Sequence, residues 1–281
     1  MAAGLALVAS LCYGISNFIG PVLSRDLPVY ALLIAGQVVA FCVSAAVVGV
    51  TPGPAHEAQV WGAALAAGVG NAVGLIAFYR AAGLGPLSIV APIGSLGAVV
   101  PVLAGIAGGE PLGAAKLVGL VLALGGVALA SRRRGGVPVE GHHTGKAAAW
   151  ALASAAGFGV FLTLMAPAST GGVFWAVAVS RVAVLTTMFA AAWSLGAALS
   201  IPLRALPRVA VPGLLLFVGT LTYSAATRAG DLSVVSVLGS LFPVVTVLLA
   251  FTLQGERLSR VQGAGVASAL AGVVLVSMRY G

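Results

Sequence analysis

Two copies of one stretch decide the fold of this chain: LSIVAPIGSL at residues 87–96 and LSVVSVLGSL at residues 232–241. Six of the ten positions are identical, and each copy runs into a second shared stretch that opens with Gly-Glu, at Gly109 and at Gly255. The copies lie about 145 residues apart, which is half of the 281-residue chain. A repeat of this length indicates duplication of a whole helical bundle, because solenoid repeats have periods of about 20–50 residues.

The composition indicates a membrane protein. Hydrophobic residues make up 60% of the chain and charged residues only 7%, whereas a soluble domain carries about 25% charged residues. About 20 consecutive apolar residues are needed to cross a bilayer, and ten runs of about this length predict ten transmembrane spans. The predicted spans, numbered 1 to 10, cover residues 2–23, 29–50, 60–82, 87–108, 112–131, 147–168, 172–199, 208–227, 232–253 and 260–278.

A polar linker, RRRGGVPVEGHHTGK at residues 132–146, separates two halves with five predicted spans each. We therefore divide the chain into a first five-helix repeat (1–131), the linker, and a second five-helix repeat (147–281). Because five is odd, the second half enters the membrane in the opposite orientation to the first. The expected fold is an all-α integral membrane protein with ten transmembrane helices as two inverted five-helix repeats. In that plan the binding site lies near mid-membrane between the halves.

Lysine and arginine are distributed unevenly between the two sides of the predicted bundle. Ten lie on the side of the linker, three lie on the other side, and one lies inside a span. Because cytoplasmic loops are the ones enriched in these residues, the count predicts that the linker faces the cytoplasm and that both termini lie outside. The net charge of +8 follows from these loop positions and does not indicate a nucleic-acid partner.

Enzyme signatures are absent from the sequence, which contains no HExxH, GxSxG or P-loop motif. The three histidines fall in loops, and the six carboxylates fall at helix ends or in loops. No acid–base pair is therefore shielded within a span. We expect no enzymatic activity, no cofactor and no metal site.

Arg181 is the only charged residue deep within a predicted span, and the repeat aligns it with Gln37. Charged side chains within membranes usually face a cavity or a partner. Arg181 is thus a candidate ligand for a substrate carboxylate or phosphate. The alternative is a structural arginine that bonds to neighbouring helices, and the sequence favours this alternative slightly.

Aromatic and amide side chains recur at helical spacing in predicted spans 1, 3 and 8. Tyr13 and Asn17 are four residues apart and share a helix face, as do Asn71 and Tyr79, which are eight apart. Tyr223 lies near the position that the repeat aligns with Tyr79. Each of these residues alone is better explained by hydrogen bonds between helices. As a set drawn from equivalent helices, they predict a cavity for a small amphiphile.

Proline, glycine and serine interrupt predicted spans 4 and 9, at Pro92, Ser95 and Pro101 and at Ser240 and Pro243. Proline inside a helix leaves a carbonyl unpaired and bends the axis. A bent helix at the same place in both halves is typical of a gating wall and also of a tightly packed central helix. We count Ser95 and Ser240 among the candidate cavity residues and the three prolines as candidate bend positions.

Glu110 and Glu256 lie in the short turns that lead into spans 5 and 10. A carboxylate near a helix N-terminus is favoured by the helix dipole, so we expect both glutamates to be structural. Within the same two spans, Gly119 with Ala123 and Gly265 with Ala269 form small-xxx-small pairs. Such pairs predict close packing of spans 5 and 10 on each other.

The repeated motifs resemble the EamA-type family of the drug/metabolite transporter superfamily over nearly the whole chain. The residues that carry the resemblance are Gly94-Ser95-Leu96 to Pro101, Gly109-Glu110-Pro111-Leu112, Gly119, Gly126, Gly239-Ser240-Leu241-Phe242-Pro243, Gly255-Glu256-Arg257-Leu258, Gly265, Gly272, Gly14 and Gly159. The resemblance implies an inner-membrane carrier of small metabolites, often an exporter of amino acids or related compounds. It also implies a central cavity lined by the first, third and fourth helices of each half. It places both termini in the cytoplasm, which is opposite to the lysine and arginine count.

We therefore expect a secondary transporter in the plasma (cytoplasmic) membrane, with a small-molecule substrate and the lipid bilayer as its partners. The cavity candidates are Tyr13, Asn17, Asn71, Tyr79, Ser95, Arg181, Tyr223 and Ser240. The spans contain no carboxylate or histidine for proton coupling, so facilitated diffusion or exchange is expected, or coupling through glutamate or aspartate near the helix ends. The alternatives are a non-transporting assembly or sensor component and a lipid flippase.

Overall fold

The computed structural model describes residues 1–51, 53, 58–84, 90, 93–110, 113–130, 144–254 and 260–277. Pro92, Glu256 and most of the linker, about which predictions were made above, lie outside these residues. The described residues form helices joined by turns, and no strand occurs among them. The helices are α1 (Ala2–Leu23), α2 (Val29–Val48), α3 (Ala58–Leu84), α4 (Val99–Ala107), α5 (Ala114–Ala130), α6 (Thr144–Ala168), α7 (Val173–Ser194), α8 (Leu206–Thr227), α9 (Leu232–Gly239), α10 (Phe242–Gln254) and α11 (Arg260–Ser277).

The protein is a multi-pass membrane protein. Among the described residues, six helical stretches are long and apolar enough to cross a bilayer: Ala2–Leu23, Val29–Val48, Ala58–Leu84, Gly145–Gly171, Val173–Ser194 and Leu203–Thr227. These coincide with predicted spans 1–3 and 6–8. Three shorter apolar stretches, Ile93–Ala107, Leu117–Gly126 and Leu232–Thr246, fall on predicted spans 4, 5 and 9.

Predicted spans 4 and 9 are interrupted at the same place in the repeat. In the second half α9 ends at Gly239, Ser240 and Leu241 form a turn, and α10 begins at Phe242. In the first half a 3-10 turn at Leu96–Ala98 precedes α4. The Gly-Ser-Leu sequence shared by both halves thus coincides with the end of regular α-helical hydrogen bonding in each, in the two spans where the sequence predicted a bent helix.

The bend prolines lie just after these interruptions. Pro243 is the second residue of α10, and Pro101 is the third residue of α4. The first turn of a helix has N–H groups without intrahelical partners, so proline is tolerated there at little cost. Pro243 therefore begins a new helix after a break that Gly239 and Ser240 have already made.

The contacts between helices of different halves come in matched pairs. In the second contact of a pair, both helices are replaced by their equivalents from the other half. The contact of α1 with α8 corresponds to that of α6 with α3, and the contact of α2 with α8 corresponds to that of α7 with α3. The interrupted helices obey the same relation, since α1 contacts α9 and α10 while α6 contacts α4 and its preceding 3-10 turn.

Close approaches of backbone repeat this correspondence residue by residue. A Cβ atom on Gly213 of α8 would lie 2.3 Å from the carbonyl oxygen of Gly36 in α2. A Cβ atom on Gly68 of α3 would lie 2.3 Å from the carbonyl oxygen of Ser180 in α7. Because no side chain fits at either glycine, both helix crossings depend on them. We call these two crossings the glycine seams.

Helices α5 and α11 pack on each other, which confirms the prediction for spans 5 and 10. Their closest approach is at Gly272, where a Cβ atom would lie 2.5 Å from the backbone nitrogen of Ala123 and 2.6 Å from the carbonyl oxygen of Gly119. Gly119 and Ala123 form the small-residue pair that the sequence indicated. The Gly272 position was not in the predicted pair on the opposite helix.

Candidate functional site

A cavity with about 430 Å³ of empty space, including its opening, lies between the halves. Side chains of α1, α3, α6 and α8 surround it, together with the interruption between α9 and α10. Its lining residues are Tyr13, Asn17, Asn71, Leu75, Phe158, Phe161, Leu162, Leu216, Gly239, Ser240 and Phe242. Both halves of the duplicated bundle thus contribute to its lining.

Three pairs of lining residues occupy equivalent places in the two halves, 145 positions apart in the sequence. They are Tyr13 with Phe158, Asn17 with Leu162, and Asn71 with Leu216. In each pair the first half supplies the polar member and the second half the apolar member. We call Tyr13, Asn17 and Asn71 the polar wall, and Phe158, Leu162 and Leu216 the apolar wall.

The contacts of Tyr13 and Phe158 show that the equivalence is structural. A Cβ atom on Gly219 of α8 would lie 2.7 Å from the ring of Tyr13. A Cβ atom on Gly74 of α3 would lie 2.5 Å from the ring of Phe158. Each aromatic ring thus packs against the neighbouring helix at a glycine, and the two glycines are 145 positions apart, as the two rings are.

The amides of the polar wall border the cavity and are almost fully buried. Asn17 is 6% exposed and Asn71 is 5% exposed, and both line the cavity. No hydrogen bond from either side chain to another residue occurs in the described part of the chain. Buried amides are normally hydrogen-bonded, so the cavity is where their partners must come from.

Aromatic rings shape the rest of the cavity. Phe158, Phe161 and Phe242 all line it. Phe161 is held by stacking on Tyr223, with ring centroids 6.2 Å apart and an interplanar angle of 29°. Phe158 lies 6.4 Å from Phe78, centroid to centroid. Because these neighbours fix the rings, the apolar side of the cavity is preformed.

Arg181 lies behind the cavity lining and is fully buried. Its Nη1 donates to Gln37 Oε1 at 2.7 Å, and its Nη2 donates to the Leu216 carbonyl oxygen at 3.0 Å and to Thr220 Oγ1. All three acceptors are neutral. The residues that the repeat aligns with each other, Gln37 and Arg181, are therefore direct partners.

One chain of hydrogen bonds connects Arg181 to the polar wall. The Tyr13 hydroxyl donates to Thr220 Oγ1 at 3.4 Å, and Thr220 in turn donates to the Leu216 carbonyl oxygen at 2.8 Å. Arg181 Nε and Gln37 Nε2 have no partner among the described residues. Thr220 hydrogen-bonds to both Tyr13 and Arg181 and so connects this cluster. The sequence interpretation missed Thr220, because a threonine in a span gives no distinctive signal.

Four of the eight predicted cavity residues line the cavity: Tyr13, Asn17, Asn71 and Ser240. Ser240 Oγ donates to the Ser236 carbonyl oxygen at 2.7 Å, so its hydroxyl already has an acceptor. The other four, Tyr79, Ser95, Arg181 and Tyr223, are not among the lining residues that the structure describes. Whether any of the eight binds substrate stays a prediction.

The two outlying tyrosines lie in helix contacts. The Tyr223 hydroxyl donates to the Leu162 carbonyl oxygen at 2.8 Å and lies 2.8 Å from Ser236 Oγ, so it connects α8 with α6 and α9. The Tyr79 hydroxyl lies directly against Gly20 of α1. Ser95 is 5% exposed and immediately precedes the 3-10 turn of the first half.

Glu110 connects the two halves in a way that the sequence did not indicate. Its Oε1 accepts from the backbone N–H of Leu232 at 2.5 Å, and its Oε2 accepts from that of Ser233 at 3.0 Å. Those N–H groups open α9, which belongs to the second half. The carboxylate does meet a helix N-terminus, as expected, but the helix is α9 and not the nearby α5.

The apolar wall is what the sequence interpretation left out. Leu162 and Leu216 carry no chemical signal, and only their distance of 145 residues from Asn17 and Asn71 identifies their places. Among the described residues no cluster of three His, Cys, Asp or Glu side chains is arranged to hold a metal ion. The arrangement therefore offers hydrogen bonding and ring contacts to a bound molecule.

Comparison with known proteins agrees with this architecture. The model of the EamA-like transporter family matches the chain twice, at residues 1–132 and 145–278. No curated protein matches it. A solved structure, described only as "Crystal structure of protein", superimposes with a TM-score of 0.77 at 18% sequence identity, over 98% of this chain and 96% of the other. At that identity the likeness concerns the fold alone.

Proposed function

Because the chain belongs to the EamA-like transporter family, we propose that it is a secondary transporter that exports small metabolites, such as amino acids or related compounds. In this proposal ten transmembrane helices form two inverted five-helix repeats. The substrate binds in the cavity between them and is released by alternating access. The membrane is the cytoplasmic membrane.

One observation carries the proposal: the cavity lies between the two halves, at the level where α9 gives way to α10. Helices interrupted in mid-membrane are typical of secondary transporters, whose sites lie at the interface of the repeats. A scaffold protein has no need of a cavity lined by two amides that lack partners among the described residues. The family membership and the position of the cavity thus support the same function.

The structure suggests which parts move. The helices that contain interruptions, α4 in the first half and α9 with α10 in the second, form the moving wall. The close contact of α5 with α11 at Gly272 is the fixed part between the halves. Glu110 joins the end of α4 to the start of α9. When these helices separate, its two hydrogen bonds must either both break or both persist.

The source of energy is a concentration gradient of substrate or of an exchanged solute. The sequence has no ATP-binding motif, and its carboxylates and histidines lie outside the interiors of the spans. Proton-coupled carriers usually place such a group within the membrane. We therefore expect facilitated diffusion or exchange, unless Glu110, Glu256 or Asp231 carries protons at the helix ends.

The experiment is counterflow in liposomes that contain the purified protein, preceded by a screen for resistance to toxic amino acids and analogues in expressing cells. A labelled substrate found in the screen should accumulate in proteoliposomes preloaded with the same unlabelled substrate. It should not accumulate in proteoliposomes without that internal substrate. The variant Asn71→Trp fills the cavity and should abolish counterflow. Val69→Trp makes the same change on the exposed side of α3, where Val69 is 45% exposed, and should keep it.

Two other outcomes would replace the proposal. Substrate binding that raises the melting temperature, without counterflow under any gradient, would indicate a sensor or assembly component. Transbilayer movement of labelled phospholipids, blocked by Asn71→Trp and unaffected by metabolites, would indicate a flippase. Counterflow retained by Asn71→Trp would show that the cavity is not the route.

The orientation of the termini is a separate part of the proposal. We follow the excess of lysine and arginine on the linker side and place both termini outside. A cysteine introduced at Gly136 in the linker should be protected from a membrane-impermeant reagent in intact cells and labelled in inverted vesicles. The reverse pattern would support the cytoplasmic termini that the family resemblance implies.

A further inference from the structure

The cavity has a polar side and an apolar side but no charge. None of the lining residues in the described part of the chain is Asp, Glu, Lys, Arg or His. An ionised group that enters such a cavity loses its hydration and finds no opposite charge, which is costly. The cavity therefore favours uncharged ligands over charged ligands of the same shape.

The nearest buried charge does not supply a partner for an ionised ligand. Arg181 donates to Gln37, Leu216 and Thr220, and Leu216 is itself a lining residue. Arg181 therefore lies behind the wall, and a substrate carboxylate finds no hydrogen bond to its Nη groups, because these donate to acceptors within the protein.

Among the polar lining residues, the hydroxyls of Tyr13 and Ser240 already have acceptors within the protein, which leaves the amides. Asn17 and Asn71 each offer two donors and one acceptor oxygen, and neither has a protein partner among the described residues. A carboxamide, lactam or imide presents a donor beside an acceptor, which matches a primary amide in both directions. The polar wall thus selects an uncharged polar edge.

The opposite side selects a flat apolar body. Phe158, Phe161 and Phe242 surround it, and Leu162 and Leu216 complete it. Aromatic rings gain from stacked and edge-to-face contacts beyond their buried area. Tyr223 and Phe78 already hold two of these rings in place. Binding of a planar ligand therefore costs little conformational entropy for ordering them.

We propose that the cavity binds an uncharged, flat amphiphile, with an aromatic ring on the apolar wall and an amide-like edge hydrogen-bonded to Asn17 and Asn71. This inference deepens the proposed function by naming the substrate class at the same site, and it rests on that function for the transport step. It sets amino acids aside within the range of small metabolites, because their ammonium and carboxylate groups find no partners in the cavity.

The test is a series of probes that share one ring and differ in charge. Binding to the purified full-length protein in nanodiscs is measured by calorimetry for indole-3-acetamide, tryptamine, indole-3-acetate and tryptophan. The neutral acetamide should bind at least about tenfold more tightly than the cation, the anion and the zwitterion. Equal or tighter binding of any charged probe, or no binding of the acetamide at millimolar concentration, overturns the proposal.

A variant series tests the polar wall itself. Asn71→Leu installs the residue that occupies the equivalent place, Leu216, and keeps a similar volume. It should weaken indole-3-acetamide by about tenfold and change the affinity for indole, which lacks the amide, by less than about twofold. The control is Val73→Leu on the exposed side of α3, where Val73 is 43% exposed. Equal loss of both probes in Asn71→Leu would show that Asn71 is structural.

Transport of the same probes separates this inference from the proposed function. If the acetamide binds selectively but shows no counterflow, the transport proposal fails and the assignment of ligand class stands. If tryptophan or tryptamine shows counterflow at affinities equal to that of the acetamide, the transport proposal stands and the ligand class is wrong. The charge series needs no variant, so a misfolded substitution does not remove the test.

Discussion

The helix pairs α1–α8 and α3–α6 are equivalent parts of the duplicated bundle, yet they differ in chemistry. Tyr13 crosses α8 at Gly219, and Phe158 crosses α3 at Gly74 in the same way. The Tyr13 hydroxyl reaches Thr220, whereas the place of Thr220 in the other pair is taken by Leu75. The two helix crossings are therefore alike, and among the described residues the polar network occurs at the α1–α8 crossing and not at the α3–α6 crossing.

This difference shows how one duplication supplies both a symmetric frame and an asymmetric site. Glycine positions that set the helix distances are kept in pairs, because any side chain there would push two backbones apart. The wall positions are free to diverge, since Asn17 and Leu162 fill similar volumes. In the proposed function, alternating access uses the first property, and the proposed recognition of an amphiphile uses the second.

The largest expected effect comes from the glycine seams. Gly68→Leu and Gly213→Leu each place a side chain against a backbone carbonyl that lies 2.3 Å from the Cβ position. Overpacking of this kind costs about 3 kcal/mol, measured as the free energy of unfolding in mixed micelles. Because the two seams are equivalent, the two variants should lose similar amounts.

The matched control for the seams is Gly62→Leu. Gly62 lies in the same helix as Gly68, and no atom lies within 4 Å of a Cβ placed there. Its stability should change by less than about 0.5 kcal/mol, the usual range for a substitution away from packed contacts. A large loss at one seam and none at the other would break the correspondence between the halves.

The next effect tests the two equivalent residues that meet, Gln37 and Arg181. Arg181→Leu leaves the Gln37 amide buried without its hydrogen bond, which costs about 2 kcal/mol. The double variant Gln37→Leu/Arg181→Leu removes both groups and should recover more than half of that loss. A double-mutant cycle with no coupling between the two sites would contradict the structural role.

Binding measurements on Arg181→Gln complete this test. The affinities for indole-3-acetate and for indole-3-acetamide should fall by the same factor, because Arg181 supports the wall and does not contact the ligand. Selective loss of the acetate would restore the interpretation of Arg181 as an anion ligand.

A smaller effect is expected at the cross-half cap. Glu110→Gln replaces one acceptor oxygen by an amide group that opposes an N–H of α9, and loss of a helix cap costs about 1 kcal/mol. The control is Asp26→Asn, which removes an exposed carboxylate in the turn between α1 and α2. If the cap also holds the moving wall, counterflow by Glu110→Gln should change while that of Asp26→Asn should not. Equal stability of Glu110→Gln and Asp26→Asn would contradict the role of Glu110 as a cap of α9.

The sequence predicted those features that depend on local pattern or on the repeat. Apolar runs located α1–α3 and α6–α8, and the Gly-Ser-Leu copies located the interruptions. The small residues Gly119 and Ala123 identified the α5 side of the contact with α11. In each case the signal lies within one segment of about 20 residues, or in a comparison of two such segments.

The features that it did not predict depend on distances between helices. Glu110 and Leu232 are 122 positions apart, and nothing in either segment indicates that the carboxylate binds the N-terminus of α9 and not that of α5. The alignment paired Gln37 with Arg181 but gave no reason for them to touch. They touch because α2 and α7, which exchange places under the repeat, pack directly on each other. Tyr79 and Tyr223 have the spacing of cavity residues, but their rings lie between helices.

The smallest expected effect concerns the hydroxyl that distinguishes Tyr13 from Phe158. Its hydrogen bond to Thr220 is 3.4 Å long, beyond the usual range for O–H···O bonds, so Tyr13→Phe should cost about 0.5 kcal/mol of stability. Thr220 keeps its bonds with Arg181 and Leu216 in this variant, so the network behind the wall survives. The affinity for indole-3-acetamide should fall by less than about threefold, because Asn17 and Asn71 supply the recognition. Tyr30→Phe, which removes a phenol that accepts from Arg80 away from the cavity, is the control for loss of a tyrosine hydroxyl as such. A tenfold loss of affinity in Tyr13→Phe, with stability unchanged, would mean that the hydroxyl binds the ligand and that Thr220 is only its resting partner.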